Sequence, residues 1–112
     1  MVKQDGIAET LTLEKMFDTL ITMLTNCFSA IDTLDTKFSG KVLSMDDEVD
    51  AIYRNSVGVL TKYLQSNPNL INNGLKIYLL IYRLERIGDY CSNIVEDVIY
   101  YIDAKALKLW NN

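Results

Sequence analysis

Histidine is absent from this chain of 112 residues. Its absence excludes serine-protease triads, the histidine-based zinc motifs and every imidazole general base. The chain also lacks any run of about eighteen apolar residues, and it lacks a basic N-terminal segment followed by a short apolar one. We therefore predict neither a membrane span nor a secretory signal. A cytoplasmic protein that meets a membrane only through a partner is expected.

Basic residues are in the minority. The chain has 11 Lys and Arg against 15 Asp and Glu, for a net charge of −4. Nucleic-acid binding needs a basic surface stripe, so we do not predict it. Cysteine is also scarce, and both Cys27 and Cys91 fall on apolar helical positions. They are predicted to be reduced core residues.

Hydrophobic residues make up 49% of the chain, enough for one domain with its own core. Strand alternation is absent, and three segments instead space their apolar residues alternately three and four apart, as packed helices do. The first segment begins at Thr10 and ends at Ser39–Gly40, because glycine is favoured just past a helix C-terminus. Its apolar positions are Leu13, Phe17, Leu20, Leu24, Cys27, Ile31, Leu34 and Phe38.

The second predicted helix begins near Ser44, which forms a capping pair with Asp47. The residues at its packing positions, which we call its seam, are Val42, Met45, Val49, Ile52, Ser56, Val59 and Tyr63. Asn67–Pro68 then breaks the pattern, since Asn can cap a helix and Pro suits its first position. The third helix runs from there to about Ala106, with a seam of Ile81, Leu84, Gly88, Cys91, Val95, Val98 and Ile102.

Three long helices joined by two short turns predict an all-α fold, an up-down-up antiparallel three-helix bundle. We predict a single domain over residues 10–106, with a frayed N-terminus at 1–9 and a C-terminal tail at 107–112. The end of the third helix is apolar beyond the reach of its partners, through Leu107, Leu109 and Trp110. Burying such a patch by twofold pairing predicts a homodimer.

Polar oxygens follow one flank of the third helix. Glu85, Asp89, Asn93 and Glu96 are spaced four, four and three apart, so they stack along one side. Four stacked oxygen donors beside a single arginine, Arg86, are more than solubility requires, and they suggest a cation site or a phosphate-linked site.

A second pair of carboxylates, Asp46 and Asp50, lies on the second helix. Antiparallel helices with equal rise face each other where the residue numbers sum to about twice the turn centre, here about 135. That register places Asp46 level with Asp89 and Asp50 level with Glu85. The opposite apolar flank of the third helix is predicted to pack on Ile21 and Phe28 of the first helix. The four carboxylates are therefore predicted to line one groove between the second and third helices.

Four carboxylates without histidine or thiolate make a hard, all-oxygen donor set. They suit iron(III), manganese or magnesium; calcium is possible, and zinc is less natural. The alternative is a solvated acidic flank with Arg54, Arg83 and Arg86 as counter-ions.

The stretch LERIGDYCSNIVEDVIYYIDAK, together with MDDEVDAIYR at Met45–Arg54, resembles one repeat of the PhoU family of phosphate-uptake regulators. The likeness covers about Thr10 to Lys105. It implies a PhoU-like bundle of three helices, comparable to a spectrin repeat, that binds metal through E/D-x-x-x-D motifs. Carried over, the metal ligands are Asp46, Asp50, Glu85, Asp89, Asn93 and Glu96.

The resemblance implies a regulator that binds a phosphate transporter or a sensor histidine kinase and is not an enzyme. The family's members usually hold two tandem repeats, whereas this chain holds one. Two copies then pair, or the chain is a fragment of a larger regulator. A single module of this kind is also similar to the cytoplasmic domain of some sodium/phosphate cotransporters. A purely structural helical association module is the alternative from another class.

Overall fold

The computed structural model describes residues 13–111. Within them the chain forms three α-helices: α1 at Leu13–Thr33, α2 at Thr36–Ser66 and α3 at Ile71–Asn111. A short 3-10 helix at Pro68–Leu70 joins α2 to α3. The described part contains no strand, which confirms the all-α prediction. The frayed segment predicted at residues 1–9 and the helix start at Thr10 lie outside the described residues.

The helices alternate in direction. A Cβ placed on Gly74 would overlap Leu64, and one placed on Gly88 would lie 3.6 Å from Val49 Cγ1. Contacts further from the turn on α2 are thus matched by contacts further from it on α3, so the two helices are antiparallel. On α1, Leu20 Cδ2 would lie 3.6 Å from a Cβ added to Gly88. Cys27, two turns after Leu20, lies beside Cys91, one turn after Gly88, so α1 runs parallel to α3. The up-down-up arrangement is therefore confirmed.

The first turn lies five residues earlier than predicted. The chain turns at Leu34–Asp35, and Ser39–Gly40 lies inside α2. Leu34 has a φ of 53°, and its N–H donates to the Ala30 carbonyl at 2.9 Å, a left-handed helix end made without glycine. Asp35 then caps α2 by accepting from Lys37 N–H at 2.9 Å.

The predicted capping pair of Ser44 and Asp47 is also wrong, because both residues lie within α2. Ser39 is fully buried in the bundle instead of forming a turn. Gly40 is an exposed helical residue, and an added Cβ there would meet nothing within 4 Å. Its glycine therefore reflects neither a helix end nor a close approach.

The seam predicted for α1 is half correct. Leu13, Leu20 and Cys27 are buried, whereas the predicted Phe17, Leu24 and Ile31 are 45%, 40% and 47% exposed. The adjacent residues occupy the core in their place, namely Met16, Met23 and Ala30. Helix α1 carries two apolar stripes of equal spacing that share the three buried residues, and spacing alone cannot decide which stripe faces the other helices.

The α2 and α3 seams face the core as predicted, although Met45, Ile52, Val59 and Tyr63 on α2 and Ile102 on α3 are only half-buried. The prediction missed two buried core residues, Leu60 on α2 and Ile77 on α3. On α3 the buried residues are Ile81, Leu84, Gly88, Cys91, Val95 and Val98, and on α2 they include Val42, Val49 and Ser56. Both cysteines are buried and form no disulfide, as predicted. Burial raises the pKa of the Cys91 thiol to about 11, so the pair is chemically quiet.

Helix α3 is longer than its neighbours. It continues through Asn111, past the predicted helix end near Ala106, so residues 107–111 are helical. The overhanging turns carry exposed Tyr100, Tyr101, Leu107 and Leu109. The packing predicted for Trp110 lies outside the described side chains. Across residues 13–111, no helix combines the length and apolar character that crossing a membrane requires.

Candidate functional site

Facing flanks of α2 and α3 bring four carboxylates together. An ideal Cβ on Gly88 would lie 3.2 Å from Asp46 Oδ1, so Asp46 reaches across α3 at the position without a side chain. The charges of Asp46, Asp50 and Asp89 all act on Glu85. We call this set, Asp46, Asp50, Glu85 and Asp89, the carboxylate groove. The helix register had predicted this grouping.

Glu85 has the most unfavourable position in the groove. Burial raises the pKa of its carboxyl group, and the charges of Asp89, Asp50 and Asp46 raise it further, in that order. Its Oε2 atom is buried and has no hydrogen-bond partner among residues 13–111. A buried carboxylate oxygen without a donor carries a desolvation cost, and among the described residues only the charge of Arg54 lowers the pKa of Glu85 again.

Asp46 shares this environment. Burial raises the pKa of its carboxyl group, as do the charges of Asp89, Asp47 and Asp50. The Ser92 hydroxyl faces Asp46 and lowers this pKa again. Even so, Ser92 Oγ makes no hydrogen bond of normal geometry within the described chain. The serine therefore offsets only part of the rise in the pKa of Asp46.

Few cations neutralise the groove. Arg54 pairs with Asp50 at 2.8 Å, and it is the only ion pair among the described residues. Arg86 instead donates to the hydroxyls of Tyr82 and Tyr90, at 3.2 and 2.8 Å. Of the three arginines proposed as counter-ions, only Arg54 serves the groove, so the solvated-flank alternative loses two of its supports.

Sequence reasoning overlooked two residues beside the groove. Ser92 follows the buried Cys91, and Tyr53 on α2 shares a hydrogen bond of 3.3 Å with Tyr78 on α3. The bond to Tyr78 raises the pKa of Tyr53 to about 12, with burial and then the charges of Tyr78 and Glu85 adding to it. The register that aligned the carboxylates could have found Tyr53, since it places residue 53 level with residue 82.

The other two predicted ligands lie further along α3. Asn93 and Glu96 are exposed, one and two turns beyond Asp89. Glu96 is not among the charges that shift the pKa of Asp46 or Glu85. The structure thus unites four of the six predicted residues and leaves Asn93 and Glu96 beside them.

The groove has the donor chemistry of a hard cation site, but its side chains do not converge on one point. Within residues 13–111, no three Asp, Glu or Cys side chains are placed to hold one ion as they stand. The unpartnered oxygen of Glu85 and the lack of counter-charge both fit a multivalent cation. Asp89 is exposed and can rotate toward an ion, whereas Asp50, whose side chain is 48% exposed, would have to exchange its pair with Arg54 for the ion.

A family model provides the decisive comparison. Residues 13–98 match the model of the PhoU domain. The chain belongs to the PhoU family. The matched range contains all three helices up to the overhang of α3, and it includes the whole carboxylate groove.

Relatives support the same assignment. The chain is 26% identical over 102 residues to the phosphate-specific transport system accessory protein PhoU homolog of Deinococcus radiodurans, covering 91% of this chain and 48% of that protein. It is 32% identical over 80 residues to the homolog of Pseudomonas aeruginosa, covering 71% and 33%. With the PhoU accessory protein of Escherichia coli it shares 30% identity over 91 residues, covering 81% and 38%.

The chain spans less than half the length of these three relatives. No solved structure matches it. These relatives are named as accessory proteins of a phosphate transport system, and the chain matches one part of each of them.

The raised pKa values give the groove a testable pH dependence. Glu85 and Asp46 have higher pKa values folded than unfolded, so between those values the folded state binds more protons. Stability should therefore rise as the pH falls from neutral to about 5, without metal. Urea titrations in chelator across this range measure it.

The matched variant for this test is Glu85→Gln, which keeps the shape of the side chain and removes its charge. The variant should be more stable than the wild type at neutral pH, and the difference should shrink toward acid pH. If the stability of the two proteins changed with pH in parallel, the pKa of Glu85 would not be raised in the folded state.

Proposed function

We propose that this PhoU-family chain is a metal-binding regulatory module of phosphate uptake and signalling. It acts by binding a phosphate transporter or a sensor histidine kinase on the cytoplasmic side, and it performs no catalysis. Its relatives are named as accessory proteins of phosphate transport, which supports the regulatory part. The single observation that supports the metal is the buried, unpartnered oxygen of Glu85 among three other carboxylates.

Asp46, Asp50, Glu85 and Asp89 are the residues that would hold the cation, with Asn93 and Glu96 extending the set. Iron, manganese and magnesium suit this all-oxygen environment best, and calcium and zinc are the remaining candidates. A bound cation would supply the positive charge that the groove lacks. The protein's own part is to hold α2 and α3 at the spacing that keeps these carboxylates adjacent.

Metal analysis of protein purified without chelator tests this proposal directly. We expect iron, manganese or magnesium to copurify, and Glu85→Gln with Asp89→Asn to lower the metal content strongly. Dialysis of wild type and variant against each metal separates specific binding from surface charge. Equal metal content in both proteins would contradict the groove as the site.

The regulatory part requires a cellular measurement. Cells lacking this protein should take up phosphate at a rate that no longer responds to external phosphate. The wild-type chain should restore that response, whereas the groove variant should not. Restoration by the variant would separate regulation from the metal.

We also propose that the chain forms a homodimer. The outer stripe of α1 carries five exposed apolar residues at heptad spacing: Phe17, Ile21, Leu24, Phe28 and Ile31. The predicted packing of this side against α3 is not seen, because Ile21 and Phe28 remain 60% and 69% exposed. A helix stripe of this length is costly to leave in water, and a second copy offers the same spacing in return.

Light scattering across a dilution series measures this assembly. We expect a dimer at tens of micromolar protein, which requires a dissociation constant of about 1 μM or lower, equivalent to about −8 kcal/mol. Phe28→Glu should give a monomer, whereas Asn55→Glu on the outer face of α2 should not. A wild-type monomer at every concentration would contradict the dimer.

A further inference from the structure

A ladder of three tyrosines and one arginine runs along an exposed flank of α3, and its first member, Tyr78, bonds to Tyr53 of α2. Tyr78, Tyr82, Arg86 and Tyr90 recur every four residues, so they stack in one line. The rings of Tyr78 and Tyr82 are stacked at 6.3 Å, and the Arg86 guanidinium lies 5.8 Å from the Tyr82 ring centre and 5.4 Å from that of Tyr90. None of these four residues belongs to the buried core.

The two tyrosines hold the guanidinium in a fixed position. Arg86 donates one hydrogen bond to each hydroxyl, and both rings attract its charge through their faces. An exposed arginine normally loses much side-chain freedom when it binds, and here that loss has already occurred. Of the five N–H groups of a guanidinium, two are engaged, so the others remain for a ligand.

The arginines of this face lack acidic partners. Arg86 stands three residues before Asp89 but bonds to the tyrosines, and neither Arg86 nor Arg83 forms an ion pair within residues 13–111. Together with Tyr82, Tyr90 and Ile87, the two arginines line a cleft of about 430 Å³. In a chain of net charge −4, this is a local positive patch bordered by aromatic rings.

We propose that this cleft is a docking site for an acidic segment of a partner protein. Carboxylates of that segment bind the preset Arg86 and the neighbouring Arg83, and its apolar atoms pack on Tyr90 and Ile87. A fixed guanidinium suits the two-pronged binding of a carboxylate, and tyrosine and arginine are enriched where protein interfaces are strongest. The inference rests on the proposed function only in supposing a protein partner, and it does not depend on the metal.

The full chain is tested with a fluorescein-labelled peptide of eight glutamates, in chelator and at low salt. A peptide of eight glutamines serves as the uncharged control. The net charge of the protein opposes binding of the acidic peptide, so general electrostatic attraction cannot imitate the site. We expect the acidic peptide to bind more tightly than the neutral one.

Variants assign that binding to the cleft. Arg86→Gln should weaken it at least about tenfold, and Arg86→Lys should weaken it also, because an ammonium group cannot present the same fork. Lys62→Gln, which removes one exposed charge at the far end of α2, should leave the affinity unchanged. Circular dichroism checks that each variant is folded. We expect no loss of helix, because Arg86 is exposed and lies outside the core.

Three results would overturn the proposal: equal binding of the two peptides, equal affinity in Arg86→Gln and Lys62→Gln, or full displacement of the acidic peptide by inorganic phosphate at matched concentration. The last outcome would make the cleft a site for small anions. Since chelator is present throughout, none of these results bears on the carboxylate groove.

Discussion

Leu84→Ala should lower the free energy of unfolding by about 2–5 kcal/mol, a large effect for a single substitution. Leu84 lies in the first half of α3, is 5% exposed and belongs to the core cluster that all three helices share. Removing its side chain forfeits buried apolar surface and leaves a cavity that the rigid helices cannot close. Urea denaturation followed by circular dichroism measures the loss.

The same substitution elsewhere on α3 provides the control. Leu79 is 47% exposed, so Leu79→Ala removes the same atoms without creating a cavity, and helix propensity changes equally in both variants. We expect it to cost no more than about 1 kcal/mol. If Leu79→Ala proved more damaging than Leu84→Ala, the seam of α3 would face the other way.

The sequence specified the second turn far better than the first. The break at Asn67–Pro68 could be located because Pro68 fixes φ and begins the short 3-10 helix, which is a local effect. The predicted capping by Asn67 is wrong: its side chain makes no cap hydrogen bond, and its Nδ2 donates to the Tyr63 carbonyl at 3.0 Å instead. At the first turn, Leu34 takes a left-handed conformation that leucine rarely adopts, while Gly40 offers a false signal inside a helix. Tertiary packing determines the position of this turn, since it buries Ser39 in the bundle and leaves Gly40 as an exposed helical residue.

The carboxylate groove could be predicted because it depends on few assumptions. The register between α2 and α3 follows from one well-marked turn and a constant rise per residue. The side chains' own arrangement could not be predicted, because it depends on rotamers and on competing partners. Arg54 forms an ion pair with Asp50, whereas Arg86 donates hydrogen bonds to two tyrosines, although both arginines have acids within reach along their own helix.

Saturating metal should stabilise the wild-type protein, whereas Asp50→Ala with Asp89→Ala should abolish that response. A ligand present at one hundred times its dissociation constant adds about 2.7 kcal/mol to the folded state. In a domain of this size each kcal/mol raises Tm by about 4–8 °C. Thermal melts with and without iron, manganese or magnesium measure the shift.

Without metal, the double variant should be as stable as the wild type or more stable, by no more than about 1 kcal/mol. It loses the exposed pair between Arg54 and Asp50, which is worth little, and it removes two of the charges that raise the pKa of Glu85. Glu14→Ala with Asp18→Ala is the matched control, since it deletes two exposed acids at the same spacing on α1. That control should keep the full metal response, because its acids lie outside the groove. A metal response that survived in the Asp50/Asp89 variant would place the ion elsewhere on the chain, and a variant that unfolded without metal would show that these acids stabilise the bundle themselves.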